Sequence, residues 1–491
     1  MENLNNELYE KITGKKRPER PVKVLQFGEG NFLRAFCDWI IQTMNEKGVF
    51  NGNVCVVQPM PFGRVEDMKK QDGLYTLYLQ GKQDGKKVRT HQIIDSISDL
   101  VDPFAEYDKY LAYAESKDLE FIISNTTEAG IAYDETDTDF THTPKSYPGK
   151  LLAFLKRRYD AFNGSKEAGL YILPCELIDH NGSTLKEVTV KLAHTCGFDE
   201  KFISWITEAN KFYNTLVDRI VPGYPRDNAA ECTAELGYND NSMVVGEIFH
   251  LWCIDGDDIK ALEKVFPAPK AGLNVLYVDS IVPYKQRKVK ILNGTHTAIV
   301  PVAYLSGIDS VAETMADKQL GAYARNFMFD EVIPTIDIPH DQMVAYANSV
   351  IERYENPFVH HLLMSIALNS VTKFKTRDLP TLLQNVEAGK TPKHCMFSLA
   401  ALIAFYKGDR NGEAIDLKDD EWALEFFKNE WANFDGSKAN CEKIVKDFLG
   451  LEKHWEQDLN KVPGLTEFVT NALYEIETNG MRKAVTNVCG E

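Results

Sequence analysis

Val22-Lys-Val-Leu-Gln-Phe27-Gly28-Glu29-Gly30-Asn31-Phe32-Leu33-Arg34 decides the fold. Its first six residues are apolar at all but two positions, the composition of a strand. Two glycines follow at once, and then Leu33, Phe36, Trp39, Ile40 and Met44 recur at helical spacing. A second strand at Val54-Cys-Val-Val-Gln58 completes the opening of a βαβ unit. The Gly-x-Gly turn suits two purposes: a tight strand–helix connection, and close approach of a pyrophosphate to a helix N-terminus. Leu33 stands where the usual dinucleotide fingerprint has its third glycine. Gln58 and Pro59 stand where an acid is expected, with Glu66 and Asp67 further on. The turn by itself leaves both purposes open and does not separate NAD from NADP.

Outward from this turn, Leu74–Gln80 and Val88–Ile94 flank Gly81-Lys-Gln-Asp-Gly85 and predict a β-hairpin. Phe104–Lys117 and Leu151–Phe162 show helical spacing, and Leu119–Ser124 and Gly169–Pro174 have the composition of buried strands. The alternation predicts an α/β fold, a parallel sheet with helices on both faces. After about Ser280 strand signals become few. Helical periodicity runs through Lys285–Leu305, His340–Tyr354, Pro357–Phe374, Pro380–Ala388, His394–Tyr406, Asp419–Phe434, Cys441–Leu449 and Pro463–Thr478. This predicts two domains, an α/β domain over residues 1–280 and an all-α domain over 281–491. With 491 residues, the chain exceeds the roughly 250–300 at which single cores stop growing.

Lys and Arg number 55 and Asp and Glu 72, a net charge of −17, which repels phosphate backbones and anionic lipid surfaces. Nucleic-acid and membrane-surface roles are therefore not expected, although a local cluster of Lys and Arg can still hold an anion. The nine cysteines are scattered with no CxxC pair, which predicts free thiols in a reducing cytoplasm and no zinc ribbon. Met1–Lys23 lacks the apolar core of a signal peptide, and no apolar stretch approaches the roughly 18–20 residues of a membrane span.

Several segments beyond the glycine turn offer chemistry. Ser124-Asn-Thr126-Thr127-Glu128-Ala-Gly130 follows a strand, where open α/β sheets bind ligands; it suits either a nicotinamide ribose or a capped turn. Lys285-Gln-Arg-Lys288-Val-Lys-Ile-Leu-Asn293-Gly-Thr-His296 carries the sharpest pattern. On an α-helix with Lys288 at zero, Lys285 falls near about 60°, His296 near about 80° and Asn293 near about 140°, so lysine, asparagine and histidine share one face of a single helix. An amine there can take an alcohol proton while hydride leaves carbon, an amide can bind the developing alkoxide, and an imidazole can orient substrate or amine. The lysine base must be neutral, and Lys285, Arg287 and Lys290 would push its pKa down. The same run also reads as a basic, solvated helix start. Cys175–Gly182 and Asn214–Pro222 are polar segments open to either a loop or a site role, and Glu247, His250 and Trp252 are candidates to line a pocket. His360-His361 and His394-Cys395 are adjacent pairs whose side chains do not converge, so no metal site is expected.

These segments together resemble the polyol-specific long-chain dehydrogenases, the mannitol dehydrogenase family. The resemblance is carried by Phe27–Phe36, Ser124–Gly130, Cys175–Gly182, Val217–Ile220, Glu247–Trp252, Asn356-Pro357 and the Lys288-x4-Asn293-x2-His296 motif. It implies a Rossmann-type N-terminal domain, a mostly α-helical C-terminal domain, and metal-independent hydride transfer with NAD in the cleft between them. Lys288 would be the general acid/base, Asn293 would polarise the carbonyl, and His296 would position substrate. Phe27, Gly28, Gly30, Asn31, Phe32, Thr126, Thr127 and Glu128 would hold the cofactor. Asp218 matches an aspartate near the family's site.

The fit departs from the mannitol branch in three places. Its Cys-Asp-Asn loop is Cys175-Glu176-Leu177 here, so the second asparagine of its oxyanion hole is either missing or replaced by Asn181. Its acid three residues before the lysine is Lys285, and its arginine before the Ile-Ala pair is Ser365. Lys285 would attract the carboxylate of a sugar acid that mannitol lacks. Phe27–Phe36 and Val282–Lys288 resemble most the branch that interconverts tagaturonate and altronate in galacturonate breakdown. Fructuronate, a polyol, or a sugar acid bound without turnover are the alternatives, and oligomeric state stays open.

Overall fold

The computed structural model describes residues 1–127 and 129–489. Glu128, one of the expected cofactor residues, lies outside the described residues. The chain forms two compact units, one of Met1–Gln80 with Val88–Ile281 and one of Gly81–Lys87 with Val282–Glu491. The tip of the hairpin formed by Tyr75–Gln83 and Lys86–Ile94 thus belongs to the second unit, which spacing along the chain did not indicate. Gly85 N–H donates to Glu352 Oε1 at 3.0 Å, and Lys87 lies 4.4 Å from the Phe358 ring centre.

The first unit is built on six parallel strands: β1 (Val22–Phe27), β2 (Asn53–Val57), β3 (Ile97–Val101), β4 (Phe121–Ser124), β5 (Tyr171–Pro174) and β6 (Lys211–Phe212). Their spatial order is β3-β2-β1-β4-β5-β6. This is the doubly wound dinucleotide-binding order, whose switch point lies between β1 and β4. Successive residues of a strand point to opposite faces. Val24, Val54, Val56, Phe121 and Ile123 accordingly enter one core, and Leu25, Phe27, Cys55, Val57 and Ile122 enter the other. Both faces are covered, which is why the strands read as nearly continuous apolar runs. The helix expected after Gly30 is two helices, Asn31–Ala35 and Cys37–Glu46, broken at Phe36 (φ −129°, ψ −79°).

In the second unit Lys393–Phe405 is the central helix, buried from His394 to Phe405 and apolar all round, with Thr295–Leu305 and Leu465–Asn479 packed against it. The continuous helix expected over Pro357–Phe374 does not form. Leu363–Ile366 and Ser370–Arg377 are separated by Asn369, whose φ of +52° ends regular helix. Nor is the unit purely helical, because Asp409–Arg410 and Glu413–Ala414 pair as a short antiparallel ladder. All nine cysteines are free thiols. Among the described residues no helix is long and apolar enough to cross a membrane.

Candidate active site

The Gly-x-Gly turn leaves the carboxyl end of β1. Gly28 has φ +122°, and a Cβ there would meet Asn125 O at 3.0 Å and Leu33 Cδ1 at 3.1 Å, so both conformation and space require glycine. Gly30 caps Asn31–Ala35 in extended conformation, and a Cβ on it would meet nothing within 4 Å. The open space before Gly30, at a switch-point strand end, fits the close approach of a pyrophosphate. Arg34, buried, locks the turn: it donates to Glu29 O at 3.1 Å, to Asn31 Oδ1 at 2.7 Å and to Ser242 O, and stacks on Tyr75. A Cβ on Gly223 would lie 2.5 Å from Asn31 Nδ2, and Phe32 stacks on Phe36 at 5.0 Å. The Phe27 ring is in the core against Tyr110 and Tyr147, so any part it has in cofactor binding is confined to its main chain.

The Ser124–Gly130 loop leaves β4 beside this turn. Among the described residues the next helix after it starts only at Tyr147. Its anchor is Glu176, to which sequence reasoning gave no role. Glu176 accepts from Ser124 Oγ (3.1 Å), Thr126 N (2.9 Å) and Thr126 Oγ1 (2.9 Å), and burial raises its pKa. The next residue, Thr127, is held at φ +70°. A buried carboxylate two residues past a strand, facing a Ser-x-Thr loop, was the available signal.

Asn181 is corrected by its surroundings. It is fully buried, its Nδ2 donates to Pro174 O, Glu176 O and Thr215 O at 3.0–3.1 Å, and its Oδ1 accepts from Gly182 N and Thr215 N. The amide is spent on main chain, with no N–H left for a substrate oxygen. The Glu247, His250 and Trp252 group is likewise used inside the fold. Trp252 lies in the core against Phe36 and Phe266, and Glu247 Oε1 accepts from Ile220 N at 2.6 Å. His250 Nε2 accepts from Asn274 N at 2.9 Å, and burial beside Arg219 lowers its pKa to about 3. Asp218 ends the strand Asn214–Asp218, buried, paired through its main chain with Leu251.

In the second unit the lysine motif lies on an irregular helix. Val282–Arg287 runs straight into a π-helical segment, Lys288–Gly294, and out into Thr295–Leu305. A π-turn bonds i to i+5, so residues five apart lie a turn apart. Lys288 and Asn293 therefore stack along one face, where a regular α-helix would separate them by about 140°. His296 follows on the adjoining α-helical turn. Lys288 and Asn293 are half-buried, and His296 is buried. Side chains outside the helix supply partners to its carbonyls: Tyr354 OH donates to Leu292 O (2.5 Å) and Arg377 to Asn293 O (3.4 Å). A Cβ on Gly294 would come within 2.7 Å of Asp378 Oδ1. Asp378 is fully buried, neither oxygen has a hydrogen-bond partner among the described residues, and burial pushes its pKa well up, favouring the protonated carboxyl.

His296 stacks on Tyr354 at 4.3 Å, and His361 meets it edge-on at 5.0 Å. Burial, followed by the charges of His361, Arg353, Arg377 and Lys373, lowers its pKa well below the ordinary value and keeps it neutral. Its Nε2 is buried without a hydrogen-bond partner among the described residues. His361, read from the sequence as structural, thus faces the expected site residue. The Lys373-x3-Arg377 pair, one helical turn apart, was the legible signal for the remaining cations. Two other expected neighbours of Lys288 point elsewhere. Arg287 is buried between Tyr284 and Tyr346, and Lys290 Nζ donates to Gln384 Oε1 (2.6 Å) and Thr335 Oγ1 (3.0 Å). Among the described residues no group of His, Cys, Asp and Glu could hold a metal ion.

Residues 22–266 match the model of the mannitol dehydrogenase Rossmann domain, and residues 280–477 that of the mannitol dehydrogenase C-terminal domain. The chain belongs to the mannitol dehydrogenase family. Its relatives include the altronate oxidoreductase of Bacillus subtilis (strain 168), 44% identical over 490 residues, which cover 100% of this chain and 98% of that protein. The altronate oxidoreductase of Escherichia coli O6:K15:H31 is 44% identical over 471 residues, covering 96% and 97% of the two chains. Among solved structures, a substrate-free D-sorbitol dehydrogenase superposes with a TM-score of 0.80 at 21% identity, covering 98% of this chain and 100% of the other. Pseudomonas fluorescens mannitol 2-dehydrogenase, in a ternary complex with NAD and D-mannitol, gives 0.62 at 22% identity, covering 96% and 95%. At these identities the two structures speak for the family's fold.

Proposed function

We propose that the protein interconverts altronate and tagaturonate with NAD, as a step of galacturonate breakdown in the cytoplasm. The observation that carries this is the alignment of Lys288, Asn293 and His296 along one helix through a π-turn. It occurs in a chain whose full-length relatives at 44% identity are altronate oxidoreductases. NADH, when bound, supplies the hydride received by the ketone carbon. Lys288 Nζ donates the proton that completes the new hydroxyl, and in reverse accepts it. The Asn293 amide donates to the carbonyl oxygen as negative charge grows there. Neutral His296 offers its unpartnered Nε2 to a substrate hydroxyl. Side chains thus fill both the proton-transfer and the charge-stabilising roles, and the reading assigns no task to a metal.

The charged groups around His296 suit an acid substrate, and Lys285, one turn before Lys288, adds to them. Asp218 accepts from a second hydroxyl in this reading. Lys285→Glu is expected to raise KM for the sugar acid; an unchanged KM removes Lys285 from substrate binding. The main test follows NADH consumption with tagaturonate, fructuronate and fructose supplied separately, for wild type and Lys288→Ala. Preference for tagaturonate, lost in the variant, supports the reading. Preference for fructuronate or fructose keeps the chemistry and overturns the substrate, and NADH binding without turnover of any of the three overturns the activity.

A further inference from the structure

The geometry points to Glu29 as the acceptor that reads the adenosine ribose and so selects NAD over NADP, the post that Gln58 and Pro59 leave unfilled at the end of β2. The inference deepens the cofactor reading above and rests on it. β1 and β2 are neighbours with Phe27 paired to Val57, so Glu29 and Gln58 emerge side by side at the carboxyl ends of both strands. A Cβ on Gly63 would overlap both Glu29 Oε1 and Gln58 Oε1, so the two side-chain oxygens converge on one place. The acid that a dinucleotide fold normally places at the end of its second strand is thus supplied here from the glycine turn itself.

The details favour a diol over a phosphate. Gln58 is committed within its loop, donating to Met60 O at 3.0 Å and accepting from Val65 N at 3.4 Å. Glu29 Oε1 accepts from Arg64 N at 3.3 Å, and the carboxylate also takes a hydrogen bond from its own main chain. A carboxylate oxygen presented this way accepts from a ribose hydroxyl, whereas a 2′-phosphate would bring like charge against it. Arg64, the cation on this loop that would answer a phosphate, has its guanidinium on Asn241 O at 2.6 Å. Beyond them Met60 and Phe62 stand 47% and 75% exposed, an apolar rim at the same strand ends and of a size to take a purine face.

The test is equilibrium binding, read by NADH fluorescence, of NADH, NADPH and 2′-deoxy-NADH to the full chain and to Glu29→Gln, with a thermal melt of each. Wild type is expected to prefer NADH to both other ligands. Glu29→Gln is expected to lose about 10–100-fold in NADH affinity, the scale of one hydrogen bond to a charged group. It is also expected to close the gaps to 2′-deoxy-NADH and NADPH. An NADH affinity unchanged in Glu29→Gln overturns the inference. So does an equal loss for NADH and 2′-deoxy-NADH, which would make Glu29 a support of the turn alone. Should Glu29→Gln melt unfolded, Glu29→Asp, which keeps the charge but draws it back by one methylene, must show the same narrowing of the NADH to 2′-deoxy-NADH ratio. A wild type that binds neither NADH nor NADPH overturns the cofactor reading itself, an outcome distinct from these.

Discussion

Two irregular turns carry the candidate chemistry, one in each unit, and each has a glycine set close against an oxygen. At Gly28 the oxygen is Asn125 O, 3.0 Å from where a Cβ would stand; at Gly294 it is Asp378 Oδ1, at 2.7 Å. They differ in what the glycine is for. Gly28 sits at φ +122°, a conformation other residues rarely adopt, whereas Gly294 has an ordinary helical φ of −64° and is small only to admit a neighbour. A turn of the first kind announces itself in sequence because only glycine can make it. A turn of the second kind hides inside a helical pattern.

Breaking the chemistry of the second turn gives the largest effect. Lys288→Ala should cut kcat by about 10²–10⁴-fold, the range of general acid–base catalysis, with an unchanged melting temperature. Inserting one alanine after Val289 attacks its geometry instead. It puts Lys288 and Asn293 six residues apart, about 120° from each other on an α-helix, which should cost on the order of 10²-fold in kcat while far-UV circular dichroism keeps its helical signal. If the insertion variant retains activity, the alignment of the two side chains is incidental to catalysis.

The glycines sharpen the contrast. Gly28→Ala should weaken NADH binding and destabilise by about 1–3 kcal/mol through backbone strain. Gly294→Ala should cost a similar amount through crowding of Asp378, and NADH binding should be untouched. Denaturant unfolding and NADH titration of both variants separate the two outcomes.

The smallest effect is in pH. His250 is neutral in the fold, with a pKa of about 3 against an ordinary 6.5. Below about pH 6.5 the unfolded chain takes up a proton that the folded chain refuses. Stability therefore falls with pH, by up to about 1.4 kcal/mol per unit for such a site. His296, also lowered, acts with the same sign. Replacing His250 with Gln should flatten the fall in thermal midpoint between pH 6.5 and 4.5, since Gln stays neutral and can still accept from Asn274 N.

The strand periodicity and the Gly28–Gly30 turn were legible because each is written in residues a few positions apart. The roles of Glu176 and His361, the occupation of Asn181 by Thr215 O and Pro174 O, and the burial of Trp252 were not. Each depends on a partner far along the chain, and a polar residue looks the same in sequence whether its hydrogen bonds go to substrate or to main chain.

By itself, then, the amino-acid sequence determined the doubly wound half, the helical half and the Lys288, Asn293 and His296 motif. Local spacing sets which way a side chain faces on a strand or a regular helix. Only the tertiary structure showed that the motif's helix is π-bonded, which brings residues five apart closer than the roughly 140° of an α-helix. Tyr354 and Arg377 bond carbonyls of that segment and Asp378 lies against Gly294, contacts that no local pattern encodes.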